Sequence, residues 1–178
     1  MTLQWKGTAT FTYEGRTRLS RVCNFGEGSL LLIMLNPSQA SADEDDPTIR
    51  RGKDFTVRLG KKRLVVCNLF SHIATNPDEL WKAVPVPVTD ANKVLRKEFS
   101  CITKLDTVVC AWGARPKPVR TFTQWEKRVA FIHELANEFG VVLYCLGKTG
   151  KGDPKHPLYL SKESSLQLFY SPFSADYK

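Results

Sequence analysis

The stretch Leu30-Leu31-Leu32-Ile33-Met34-Leu35-Asn36-Pro37-Ser38 decides how this chain is read. Its apolar run lacks the alternation of a half-exposed strand and is too short for a typical helix. It therefore reads as a strand buried on both faces, as in a parallel sheet covered by helices. The polar Asn36-Pro37-Ser38 then falls where the strand ends. Three further runs repeat the pattern. Residues 64–67 lead into Asn68-Leu69-Phe70, and 107–111 into Trp112-Gly113-Ala114-Arg115. Residues 141–146 lead into Gly147 and a loop that reaches His156-Pro157.

Helical signals lie between the runs. Asp46 is placed to cap a helix with Pro47 at its first position and Gly60 as its stop. Thr89 or Asp90 starts a second, carrying Val94, Leu95, Phe99 and Ile102. Thr123 and Glu126 have capping-box spacing, and the helix they open carries Trp125, Val129, Ile132, Ala136 and Phe139 on one face before Gly140. Strands alternating with helices predict an α/β fold: three αβα layers around a central four-stranded, mainly parallel sheet. Upstream, Ala9, Phe11 and Tyr13 alternate with Thr8, Thr10 and Thr12 before a turn at Glu14-Gly15, which predicts an antiparallel hairpin attached to the sheet. Residues 165–170 read as a final strand. The reading is one domain, 1–178, with 1–29 as its hairpin extension.

With 42% hydrophobic and 25% charged residues, no run approaches the roughly 20 apolar residues of a membrane span. The first residues lack a signal-peptide core. A soluble, cytoplasmic protein is expected, and a monomer. No metal or cofactor is expected, because His72, His133 and His156 have no ligand spacing and the five cysteines form no CxxC pair. Cys67, Cys110 and Cys145 read as buried, reduced core thiols.

The net charge of +8 suits a polyanionic partner, with DNA, single- or double-stranded, foremost. Basic residues form three groups. The first is Arg50, Arg51, Lys53, Arg58, Lys61, Lys62 and Arg63. The second is Arg115, Lys117, Arg120, Lys127 and Arg128, and the third Lys148, Lys151 and Lys155. Of these, Arg50, Arg51, Arg115, Lys148, Lys151 and Lys155 are the expected phosphate contacts.

Ligands of open α/β sheets bind outside the carboxyl ends of the strands. If the four runs are parallel, their trailing residues converge on one cleft. The arrangement resembles the uracil-DNA glycosylase superfamily, carried here by Asn36-Pro37, Asn68, Trp112-Gly113 and His156-Pro157, each at a strand end and in the superfamily's order. The Ser-Pro that follows His-Pro in the superfamily is absent. The string LNPS, DDPTIRR, NLF, AWG and HPLY is also similar to a family of small bacterial and phage proteins catalogued as domain-of-unknown-function family 1643.

The superfamily resemblance implies cleavage of the bond between base and deoxyribose. It casts Asn36 as a water-positioning amide, because an amide is no strong base. His156 would stabilise charge on the departing base. Asn68 would read a pyrimidine edge, with Phe70, Pro37 and Gly113 around the base and Trp112 either beside it or a structural anchor at its strand end. The superfamily's strict uracil enzymes have Tyr where Ser38 stands, so Ser38 implies an open C5 side and a C5-modified pyrimidine as substrate. Asp45 and Asp46, within the acidic run 43–46, each admit two readings: helix capping, or the general base that Asn36 cannot be. Two alternatives stand beside the glycosidase: an enzyme of free or modified nucleotides, and a non-catalytic nucleic-acid binder.

Overall fold

The apolar runs form the middle of a wider sheet. The computed structural model describes residues 2–80, 86–116 and 121–173, so Lys117 and Arg120 lie outside the described residues. A hairpin comes first, β1 (Trp5–Thr12) and β2 (Gly15–Cys23). Then follow β3 (Ser29–Met34), α1 (Pro47–Arg58), β4 (Arg63–Asn68), a single turn α2 (Pro77–Leu80) and α3 (Thr89–Ser100). The chain continues with β5 (Thr107–Cys110), α4 (Thr121–Phe139), β6 (Leu143–Cys145), a 3-10 turn (Pro157–Tyr159) and β7 (Gln167–Tyr170).

The expected four-stranded, mainly parallel sheet of a uracil-DNA glycosylase-like αβα domain is not what forms. The sheet is mixed and seven-stranded, in the order β1-β2-β4-β3-β5-β6-β7. Three of its pairings are parallel (β3 with β4, β3 with β5, β5 with β6) and three antiparallel (β1 with β2, β2 with β4, β6 with β7). The physical reason lies at the edges. β4 is a buried, mostly apolar strand whose free backbone groups would be exposed if it ended the sheet. β2 pairs along it from Arg18↔Cys67 to Val22↔Arg63, which makes the hairpin part of the sheet. β7 closes the short β6 in the same way.

Helices pack on both faces. Ile49 and Phe55 of α1 bury against Leu30, Leu32 and Met34 of β3 and Leu64 and Val66 of β4. On the other face, Leu95 and Phe99 of α3 and Ile132, Leu135 and Ala136 of α4 pack on Leu31, Ile33, Val65 and Val108. Phe55 is fully buried, and truncating such a side chain to Ala typically costs about 3–5 kcal/mol. α1 starts as read from sequence, with the Asp46 side chain accepting from Ile49 N at 2.8 Å. α4 does not. It already includes Thr121, so Thr123 lies inside the helix and its spacing to Glu126 makes no cap.

The path through the parallel strands sets the site. From β3 the chain crosses over α1 to β4 on one side, then returns over α3 to β5 on the other side of β3. The winding reverses at β3, which opens a crevice at the carboxyl ends of β3 and β5. One irregularity also matters. The β1–β2 register passes from Thr10↔Arg18 to Phe11↔Arg16, skipping Thr17. The bulge switches the face on which Arg16 emerges. Arg18 reaches Glu98 on α3 at 2.8 Å, whereas Arg16 donates to the Ala40 carbonyl on the α1 side.

Candidate active site

A cleft of about 380 Å³ occupies that crevice. Asn36 and Ser38 enter from the end of β3, Trp112 and Gly113 from the end of β5, and Asp46 with Thr48 from the start of α1. His156 enters from the loop after β6, and Leu158 and Tyr159 complete the lining. Thus Asn36, Ser38, Asp46, Trp112, Gly113 and His156, all expected from sequence, meet here.

Asn36 is held so that its chemistry is one-sided. Its Nδ2 donates to Pro37 O at 3.0 Å and to Ala74 O at 2.7 Å. Both partners are carbonyls, so the amide cannot be reversed without losing both bonds. Oδ1 is left as its acceptor. Pro37 is buried and contributes its carbonyl, which also accepts from Ala74 N at 3.0 Å.

His156 has the complementary bias. Its Nδ1 accepts from Leu158 N at 3.3 Å at the start of the 3-10 turn, which puts the ring proton of the neutral form on Nε2. Burial pushes its pKa below the usual imidazole value, against the opposing pull of Asp46. The ring is therefore a neutral N–H donor near pH 7. Gly113 adopts φ +85° beside it, a conformation suited to glycine, and donates its N–H to Pro154 O at 2.9 Å. That bond ties the end of β5 to the loop carrying His156.

The two neighbouring aspartates part company. Asp46 uses Oδ1 on the α1 cap and lines the cleft. Asp45 is clasped by Arg21 Nε on Oδ1 and Lys53 Nζ on Oδ2, each at 2.8 Å. Burial works against its charge, but the hydrogen bonds from Lys53 and Arg21 outweigh it and hold the carboxyl below its ordinary value. Asp45 is a brace for the segment. Arg21 also donates to the carbonyls of Ser41 (2.7 Å) and Glu44 (3.2 Å). With Arg16 on the Ala40 carbonyl, two β2 arginines grip the segment that delivers Asn36, Ser38 and Asp46. No sequence signal identifies Arg16, because the face it takes depends on the β2 bulge, and Arg21 is one of several arginines in an alternating strand whose inner face the sequence does not mark.

Pro37, Asn68 and Phe70, expected around the base, are not in the cleft lining. Asn68 pairs beside Met34 on β4, on the far side of β3 from β5, and is buried with no partner for Nδ2. Phe70 is fully buried under the Arg128 guanidinium. Of the expected phosphate contacts, Arg50 and Arg51 lie on α1 beside the cleft. Arg115 is engaged by Asp153 through Nε and Nη2, and Lys148 sits over the Phe169 ring. Lys151 and Lys155 are exposed near that loop. His72 does not line the cleft, and His133 stacks on Tyr170 at 4.2 Å. Among the described residues there is no group of side chains that could hold a metal, and no helix long and apolar enough to cross a membrane.

A protein family described as "Protein of unknown function (DUF1643)" matches residues 16–158, from the first arginine of the clasp to the rim of the cleft. No curated protein and no solved structure matches.

Proposed function

The chain belongs to the DUF1643 family, and from that premise we propose that it is an N-glycosidase that releases a pyrimidine base, C5-substituted bases included, from DNA. The observation that carries this reading is the pairing of a fixed acceptor with a fixed donor across one cleft. Both N–H groups of Asn36 are spent on carbonyls, and His156 keeps its proton on Nε2. The order of these residues along the chain resembles the uracil-DNA glycosylase superfamily and supports the same reading.

Hydrolysis of such a bond needs three things. Water must be positioned below the sugar, its proton must go somewhere, and the departing base must be stabilised. Asn36 Oδ1 accepts from the water, and the Asp46 carboxylate takes the proton as the C1′–O bond forms. The C1′–N bond breaks with its electron pair leaving on the base, where His156 Nε2–H donates to the charged oxygen. Asp46 rather than Asp45 takes the basic role, because Asp45 is bound by two cations. Ser38 on the lining leaves space for a C5 substituent.

The test is an abasic-site assay on oligonucleotides carrying uracil or C5-substituted pyrimidines. Alkali-labile breaks at the substituted base are expected. His156→Ala should lose about 10²–10³-fold in rate, the usual cost of removing a transition-state donor. Intact DNA with every base would refute the glycosidase. A changed free nucleotide beside intact DNA would instead favour the nucleotide-enzyme reading, which the small volume of the cleft also fits.

A further inference from the structure

A groove of about 780 Å³ runs along α1 and shares Pro47 and Leu158 with the cleft. Arg50 and Arg51 of α1 line it, together with Leu3 and Trp5. The other cations here have partners. Lys53 holds Asp45 and lies over the Trp5 ring, Lys162 pairs with Asp54 at 3.1 Å, and Arg58 donates to the Ser164 carbonyl. The Arg50 guanidinium donates to the main-chain oxygen of Asp45, and among the described residues neither Arg50 nor Arg51 forms an ion pair. Among the described residues the groove thus presents two guanidiniums without carboxylate partners beside an aromatic and an aliphatic side chain, with Glu163 as its one carboxylate outside an ion pair.

We infer that a single-stranded nucleic acid leaves the cleft over Pro47 and Leu158 and lies along α1, with phosphates on Arg50 and Arg51 and base faces on Trp5 and Leu3. The inference rests on reading the cleft as a base pocket. Charge complementarity selects a polyanion, and the interleaved apolar face selects the strand form. A duplex offers its phosphates but keeps its base faces stacked inside, whereas single strands bind to grooves that combine cations with stacking surfaces. The hairpin loop 147–155 offers less, since Arg115 is spent on Asp153 and Lys148 on Phe169.

Fluorescence anisotropy of the full chain with a labelled 12-nucleotide strand, titrated over a range of salt, tests this. Arg50→Gln/Arg51→Gln is expected to weaken binding at least tenfold. It should also flatten the plot of log affinity against log salt by about 1.4, because each phosphate neutralised on a single strand accounts for roughly 0.7 of the slope. The charge-matched control Lys97→Gln/Lys104→Gln should bind as the wild type does, and the matching duplex should bind more weakly than the strand. Thermal melts of each variant distinguish weakened binding from unfolding. A duplex preference would overturn the proposal. So would a loss of binding in Lys148→Gln/Lys151→Gln/Lys155→Gln without one in the α1 pair. Binding and catalysis fail separately: should the glycosidase reading be wrong, the strand still binds and the α1 pair still weakens it, while no base is released.

Discussion

Adjacent strands β3 and β4 run parallel and each leads into an asparagine, yet the two asparagines have opposite fates. Asn36 stands at the mouth of the cleft with its amide fixed by two carbonyls. Asn68 is buried with an unpartnered Nδ2. Their difference is topological. The crevice opens only between strands where the winding reverses, here β3 and β5, and β4 lies on the other side of β3, between it and the β1–β2 hairpin. Parallel direction brings strand ends to one edge of a sheet, but the crossover pattern decides which of them share a hollow.

The largest effect should come from exchanging these two residues' fortunes. In single-turnover base release, Asn36→Ala is expected to cost about 10²–10³-fold, the scale of removing a positioning group. Asn68→Leu should leave the rate within a few-fold and the melting temperature level or higher, because an apolar replacement removes an unsatisfied buried donor. A rate collapse in Asn68→Leu with the fold intact would mean that Asn68 reaches the substrate, and the contrast would fail.

A smaller effect separates the two aspartates. Asp45→Asn removes the carboxylate that Arg21 and Lys53 share, and should destabilise by about 1–3 kcal/mol, between exposed and buried pairs. Because the Asp45 pKa is lowered in the folded chain, its contribution is fully present above the ordinary carboxylate range. It is lost as pH falls below about 4 through the lowered native value. Urea unfolding of wild type and variant should therefore converge in acid, and a gap that persists at pH 2 would rule out the ionic origin.

The smallest effect tests the link between the two sides of the cleft. Asp46 favours the charged imidazole of His156, so Asp46→Asn should move the His156 titration, followed by NMR, to still lower pH. An unchanged or raised value would mean that the two groups do not sense each other.

Several parts of this fold are legible in the residues because local chemistry dictates them. The α1 start needs only Asp46, Pro47 and one turn of helix, and buried strands such as β3 announce themselves by unbroken apolar runs. The outer strands are harder. β1 and β2 carry threonines and arginines, and only the need to cover the edge of β4 makes β2 an inner strand. The start of α4 misleads because Thr123 and Glu126 fit a capping pattern that the helix does not use. The site is legible where it depends on the strand ends of β3 and β5. It is not where it depends on which strand neighbours which, as for Asn68, or on a single skipped residue, as for Arg16.

The clasp on the acidic segment ties one wall of the cleft to the edge of the sheet. Its parts are Arg16, Arg21, Asp45 and Lys53, together with Gly7, where any side chain would run into the Ala42 carbonyl, 2.0 Å from an added Cβ. All of them lie between residues 7 and 53, but the two arginines reach across 24 positions to Ala40 and Asp45, and the strand that carries them is held in place by β4. His156 and the Trp112-Gly113 bend come from the later half and must dock onto this wall. The acidic wall thus takes its shape from the pairing of β2 with β4, and whatever loosens that edge of the sheet loosens this side of the cleft.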